Sequence, residues 1–222
     1  MRFVDLGLTG FLEAYKIQME LLGDISRGFS ESTLLITEHP SVITVGRRGS
    51  HNNIFRSREF LCSRGIEVLD TDRGGDVTYH GPGQLVAYPV FKLENEARDI
   101  HRFLEYLENV ARHFLSKYDV AGEFKPGLRG VWIKKKKIAS IGIGVKKWVS
   151  YHGLAININC NLLPFSFIKP CGIEKIETTS LEKVLGYKVG INDAKYRLKS
   201  SFEELGCQNL NNRREYGKIK AS

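Results

Sequence analysis

No apolar run in this chain approaches the roughly 20 residues needed to span a bilayer. Nor does a basic segment lead into an apolar one at the N-terminus, where Asp5, Glu13 and Glu20 stand instead. Neither a membrane protein nor a secretory or organellar leader is expected. Cysteine is scarce. Cys62, Cys160, Cys171 and Cys207 are widely spaced and never form a CxxC pair. That spacing argues against a metal site and for a reduced, cytoplasmic chain with free thiols. The basic residues fall in short clusters: Arg47-Arg48, Lys134 to Lys137, Lys146-Lys147 and Arg213-Arg214. No aromatic ladder or nucleic-acid motif accompanies them, so nucleic acid is not an expected partner. Internal repeats and linkers are missing too, which leaves one domain as the simplest organisation.

Hydrophobic residues make up 42% of the 222, enough for a sizeable core in a globular chain. The formal net charge of +8 favours acidic partners, and an acidic protein is one option, although lysine runs are more often simply solvated surface. The most informative stretch is Arg73-Gly-Gly-Asp-Val-Thr-Tyr-His-Gly-Pro-Gly-Gln84. Four glycines and a proline exceed what a turn requires, and glycine lets a backbone approach a ligand closely. The strand-like Leu85 to Phe91 follows at once. The run therefore reads as a functional loop anchored to a sheet. It lacks the Lys-Ser/Thr ending of a nucleotide phosphate loop.

Helical spacing of Phe11, Ala14, Tyr15, Gln18, Met19 and Leu22 predicts a helix ending near Gly23. Strands are expected at 33–37 and 42–45, joined by a turn at Pro40, and at 66–69. A short helix fits 59–63. The apolar stripe from Ile100 to Tyr118 predicts a helix over about 97–118, with His101 and His113 off the stripe. Residues 131–133, 138–145, 148–150 and 154–158 read as a β meander with lysine-rich turns. Thr179-Ser-Leu-Glu182 fits a capping box, and Asn192 is placed to cap a last helix to about Leu205. The fold class is α/β (α+β-like): a single domain over 1–206 with mixed strands and flanking helices, and a polar basic tail over 207–222.

Cys171 lies between Pro170 and Gly172, a rigid turn setting unlike that of a buried structural cysteine. A nucleophilic thiol needs a base to take its proton. His80, His152 and Lys137 are all candidates. Lys137 opens the strand 138–145 and, by alternation, shares a face with Ala139, Ile141 and Ile143. Burial there and the neighbouring Lys134 to Lys136 would both favour its neutral form.

With these residues in view, the Arg73–Gln84 run resembles the signature of the lipoyl(octanoyl) transferase family. Further segments match in order: Glu38-His-Pro with Val45-Gly-Arg-Arg48, Lys137-Ile-Ala-Ser-Ile-Gly142, Tyr151-His-Gly-Leu-Ala-Ile-Asn157 and Pro170-Cys-Gly-Ile173. The resemblance spans about residues 5–185. It implies a fold similar to the catalytic domains of biotin and lipoate protein ligases. It also implies an acyltransferase in which Cys171 becomes an octanoyl thioester and Lys137 lowers the thiol pKa and shuttles the proton. The implied pocket comprises Arg73, Gly74, Gly75, Asp76, Val77, Thr78, Tyr79, His80, Ser140, Ile141, Gly142, Gly153, Leu154 and Ala155. The implied partners are acyl carrier protein, which brings octanoyl on its phosphopantetheine, and lipoyl domains of 2-oxoacid dehydrogenase complexes or the glycine cleavage H protein. No cofactor, no metal and a monomer are expected. One departure is Cys160-Asn161, which stand where the family often has an acidic residue; no loss of chemistry is expected from it. Two rivals remain: an ATP-dependent lipoate or biotin ligase of the same fold, which needs no cysteine at 171, and a non-catalytic relative that binds acyl carrier protein.

Overall fold

The computed structural model describes residues 1–94, 98–169 and 176–206. In chain order the elements are β1 (Arg2–Leu8), α1 (Phe11–Arg27), β2 (Thr33–Glu38), β3 (Val42–Val45), α2 (Arg58–Cys62), β4 (Glu67–Asp70), β5 (Val77–His80) and β6 (Gln84–Val90). They continue with α3 (Ile100–Ser116), β7 (Glu123–Lys125), β8 (Leu128–Ile133), β9 (Lys136–Lys146), β10 (Val149–Asn157), α4 (Leu181–Leu185) and α5 (Ile191–Leu205). A seven-stranded sheet runs β1-β2-β6-β10-β9-β8-β7, and a three-stranded sheet runs β4-β3-β5.

Alternation along the strands assigns the two faces of the large sheet. Leu34, Ile36, Leu85, Ala87 and Ile156 join a core with Phe103, Leu107 and Phe114 of α3 and Leu198 and Phe202 of α5. Their neighbours Leu35, Val86, Tyr88, Val90 and Ala155 pack on the other side with Ala14, Leu22 and Ile25 of α1. Both faces are covered, so β6 and β10 are buried at every position. Hence β6 reads in sequence as a nearly continuous apolar run from Leu85 to Val90. A third cluster packs Ile43, Val45, Val77 and Tyr79 of the small sheet against Leu61, Phe165 and Phe167.

Several expectations are corrected. Gly23 lies inside α1, which continues to Arg27 and stops at Gly28, whose φ is +82°. Buried Ile25 holds the extra turn against the sheet, outweighing the cost of about 1 kcal/mol for an interior glycine. The strands joined at Pro40 form as expected and enter different sheets. The 73–84 run is not all loop: Val77 to His80 form β5, paired antiparallel with β3. The segments 148–150 and 154–158 merge into the single strand β10, because the intervening Tyr151-His-Gly153 pairs with Gly142 to Gly144. Ser180, not Thr179, caps α4 through the N–H of Lys183 at 3.3 Å, since the Thr179 N–H is used by Lys137. Gly190, not Asn192, precedes α5. The edge strands β1 and β7 were not expected; partial exposure leaves them without a clear apolar alternation. The 97–118 helix begins at Ile100, where Asp99 accepts from the N–H groups of His101 and Arg102. Among the described residues no helix is long and apolar enough to cross a membrane. The tail 207–222, with Cys207, lies outside them.

Candidate active site

The glycine-rich segment is stitched between the two sheets. Arg73 is buried, and its guanidinium donates to the Thr44 hydroxyl at 3.0 Å, the Thr44 carbonyl at 2.7 Å and the Asp76 carbonyl at 2.6 Å. The N–H groups of Gly46, Arg47 and Arg48 donate to the carbonyls of Asp76, Arg73 and Gly75. On the other side the Gly74 N–H donates to the Ile143 carbonyl of β9 at 2.8 Å. A side chain at Gly142 would put a Cβ 2.7 Å from the Gly74 carbonyl, so the close approach needs glycine there.

These contacts shape a cavity of about 580 Å3, counted out to its open mouth. Arg73, Gly75, Asp76, Val77, Thr78 and His80 make one wall. Lys137, Ser140, Ile141 and Gly142 from β9 make a second, and Gly153, Leu154 and Ala155 from β10 a third. The expected pocket residues thus converge, with two exceptions. Gly74 does not line the cavity. Tyr79 faces away, its ring against Phe165 and its hydroxyl 3.0 Å from that of Ser41. His152, a candidate base from the sequence, also lines the cavity, as do Phe11, Val86 and Tyr88, which were not foreseen. Phe11 belongs to a distant helix, and Val86 and Tyr88 looked like ordinary strand core.

Lys137 is buried, while Lys134, Lys135 and Lys136 are exposed. Its face differs from strict alternation. A register irregularity between Val131 and Trp132 intervenes. Ala139 and Ile143 join the core under α3, whereas Lys137 lines the cavity. The Lys137 Nζ lies 5.6 Å from the centroid of the Trp132 ring. Its backbone is clamped: the Lys137 N–H donates to the Glu177 carbonyl at 2.8 Å, and its carbonyl accepts from the Thr179 N–H at 2.9 Å.

The histidines at the site are neutral. Burial pushes His80 down to about 3, and its Nδ1 lies 2.6 Å from Gln84 Oε1. Burial pushes His152 down to about 4 against the opposing pull of Asp72, whose Oδ1 is 2.9 Å from Nε2. The His152 Nδ1 is buried with no hydrogen-bond partner among the described residues. Burial resists ionisation of Asp72, but hydrogen bonds from His152, Tyr151 and Tyr15 outweigh it and hold the carboxyl below its usual range. His39, also pushed down to about 4 by burial, donates from Nδ1 to the Thr9 carbonyl at 2.6 Å. Its Nε2 therefore accepts from the Tyr88 hydroxyl at 2.7 Å.

Cys171 lies outside the described residues. The chain entering its segment is held by the Lys169 N–H on the Asn53 carbonyl at 2.7 Å, and the chain leaving it reaches the Lys137 clamp. Of the other thiols, Cys62 is exposed at the end of α2, and Cys160 is buried, which pushes its pKa up to about 12. Neither lines the cavity.

The fold belongs to a known class. Residues 11–203 match the family described as lipoyl protein ligase A/B catalytic domain. Lipoate-protein ligase A bound with ATP superposes with a TM-score of 0.72 at 16% identity, covering 91% of this chain and 84% of that one. Biotin protein ligase from Aquifex aeolicus superposes with a TM-score of 0.58 at 12% identity, covering 99% and 75%. These likenesses show the fold.

The sequence relatives are more specific. The octanoyltransferase of Geotalea uraniireducens is 43% identical over 203 residues, 91% of this chain and 92% of the relative. That of Alkaliphilus metalliredigens is 42% identical over 206 residues, 92% and 94%. The chain belongs to the octanoyltransferase family and is an enzyme of protein lipoylation.

Proposed function

We propose that octanoyl passes through a thioester on Cys171, with Lys137 as the group that takes and returns the proton. The donor is an octanoyl thioester on the phosphopantetheine of acyl carrier protein. Lys137 takes the thiol proton, and the Cys171 thiolate attacks the thioester carbonyl. The C–S bond to pantetheine then breaks, and the leaving thiolate takes the proton back from Lys137. A lysine amine of a lipoyl domain, from a 2-oxoacid dehydrogenase or the glycine cleavage H protein, attacks the acyl-enzyme. The amide forms, the C–S bond to Cys171 breaks and the cysteine regains a proton. The cavity residues Arg73, Gly75 to Thr78 and His80, with Ser140 to Gly142 and Gly153 to Ala155, hold the acyl chain and thioester.

The observation that carries this reading is the setting of Lys137. It is buried in an apolar-lined cavity and clamped by the stretch of chain that leaves the Cys171 segment. The test is incubation with octanoyl-acyl carrier protein followed by intact mass and peptide mapping. An octanoyl adduct on Cys171, removed by added lipoyl domain, is expected. Full transfer by Cys171→Ser without an adduct would overturn the mechanism.

A further inference from the structure

Thr179, Asn157, Gln84 and His80 form a buried hydrogen-bonded chain whose polarity is fixed by two backbone carbonyls. Asn157 Nδ2 donates to the Thr179 carbonyl at 3.0 Å. A carbonyl can only accept, so this contact orients the amide and leaves Asn157 Oδ1 facing the other way. That oxygen accepts from Gln84 Nε2 at 2.9 Å. The same Gln84 nitrogen also donates to the Tyr79 carbonyl at 3.2 Å. Two independent backbone carbonyls therefore require the same amide orientation, and a flip of either side chain would set like against like. Gln84 Oε1 is left to accept from His80 Nδ1 at 2.6 Å.

The consequence falls on His80. Its proton is fixed on Nδ1, so Nε2 carries a bare lone pair. Nε2 has no hydrogen-bond partner among the described residues, and the ring lines the cavity. An acceptor needs a donor. Once the pantetheine arm with its amide N–H groups has left, the acyl chain and the thioester bring none, and the acylated Cys171 carries no proton. The acceptor lysine is different. Its neutral amine must aim its lone pair at the thioester carbon, which leaves its N–H bonds to be held by acceptors.

We propose that Gln84 and Asn157 are positioning residues for amide formation: anchored on the Thr179 carbonyl, they hold His80 as the Nδ1–H tautomer, and the bare Nε2 accepts a hydrogen bond from the attacking amine. The inference rests on the thioester reading, and it assigns a task to residues outside the acyl pocket. His80 orients the amine and does not remove its proton. Thr179 bonds both to Asn157 and to the Lys137 backbone, so one short segment sets the position of both functional side chains.

The test joins a spectroscopic readout to the two half-reactions. Nitrogen-15 spectra of histidine-labelled protein near pH 7 should show His80 with a protonated Nδ1 and an unprotonated Nε2. In Gln84→Met the tautomers should mix or reverse. Transfer from preformed octanoyl-enzyme to a lipoyl domain should slow by about 10- to 100-fold, with acylation of the enzyme unchanged. Gln84→Glu keeps an acceptor for Nδ1–H, although it sets an oxygen against the Asn157 and Tyr79 oxygens, and should restore the tautomer and more of the rate than Gln84→Met keeps. A wild-type His80 protonated on Nε2, or equal slowing of both half-reactions in Gln84→Met, overturns the proposal. The wild-type tautomer needs no substitution, so a variant that fails to fold leaves the test standing. If no adduct forms on the wild type, the thioester reading fails separately. The relay is then judged on the tautomer and on overall transfer by Gln84→Glu against Gln84→Met, where equal rates overturn it.

Discussion

Lys137 and Thr178 stand opposite each other in a parallel β-bridge, outside the regular pairing of either sheet. The bridge fixes the backbone of the lysine to the chain that leaves the Cys171 segment. The side chain can then change while its backbone stays held. Lys137→Arg should fold normally and keep its positive charge, yet acylation by octanoyl-acyl carrier protein should fall about 10²- to 10⁴-fold at neutral pH, because arginine does not give up its proton. Rapid-quench intact mass measures the rate. An unchanged rate would exclude Lys137 as the base, and His80 and His152, held down at about 3 and about 4, are poor substitutes.

Thiol reactivity separates the cysteines. Iodoacetamide near pH 8 should leave Cys160 unmodified in the native protein and alkylate it only after unfolding, since burial holds the thiol protonated. Cys160→Ala should keep octanoyl transfer. Peptide mapping after timed alkylation reads the first outcome. Native Cys160 reacting as fast as the exposed Cys62 would contradict it.

Much of the site was legible because its residues sit in contiguous runs. Arg73 to His80, Ser140 to Gly142 and Gly153 to Ala155 each appear as a motif, and folding brings the three runs to one cavity. Phe11 and Tyr88 were not legible as lining residues, because their periodicity marks them equally as core. Burial of Lys137 was legible from its place at a strand start, but its face was not, since no local pattern announces the irregularity opposite Val131 and Trp132. Helix ends were misplaced wherever two polar or small residues adjoin, as at Thr179-Ser180 and Gly190 to Asn192. At Thr179-Ser180 a tertiary bond, from the Thr179 N–H to the Lys137 carbonyl, decides the case. The strand pairing 148–157 was hidden by Gly153, which reads as a break and is in fact a close approach.

That approach gives a sharp substitution. A Cβ at Gly153 would stand 2.3 Å from the Ala87 carbonyl oxygen and 2.6 Å from Pro89 Cδ. β6 cannot yield easily, since it is buried between β2 and β10. Gly153→Ala should therefore cost about 1–3 kcal/mol of stability. It should also displace Leu154 and Ala155 at the cavity wall. Urea unfolding measures the first effect and the Km for octanoyl-acyl carrier protein the second. Wild-type values for both would mean that the strands separate freely.

The buried histidines make stability fall in acid. Unfolded, His39, His80 and His152 take up protons as the pH drops through about 6.5. Folded, His39 and His152 resist until about 4 and His80 until about 3, because burial penalises the charged ring. Between those limits the unfolded chain binds more protons, so acid favours unfolding, on the order of 3 kcal/mol per histidine across the whole window. The effect is complete only below the folded values and absent above about pH 7. The urea midpoint should therefore fall steadily from pH 6.5 to pH 4.5. In His39→Gln, which removes one titrating ring beside Tyr88, the slope should be shallower. The bonds from His39 to the Thr9 carbonyl and Tyr88 hydroxyl make some loss of stability at pH 7 expected in that variant, so the slope, not the midpoint, is the readout. A wild-type midpoint independent of pH across this window would show that these rings accept protons in the folded state.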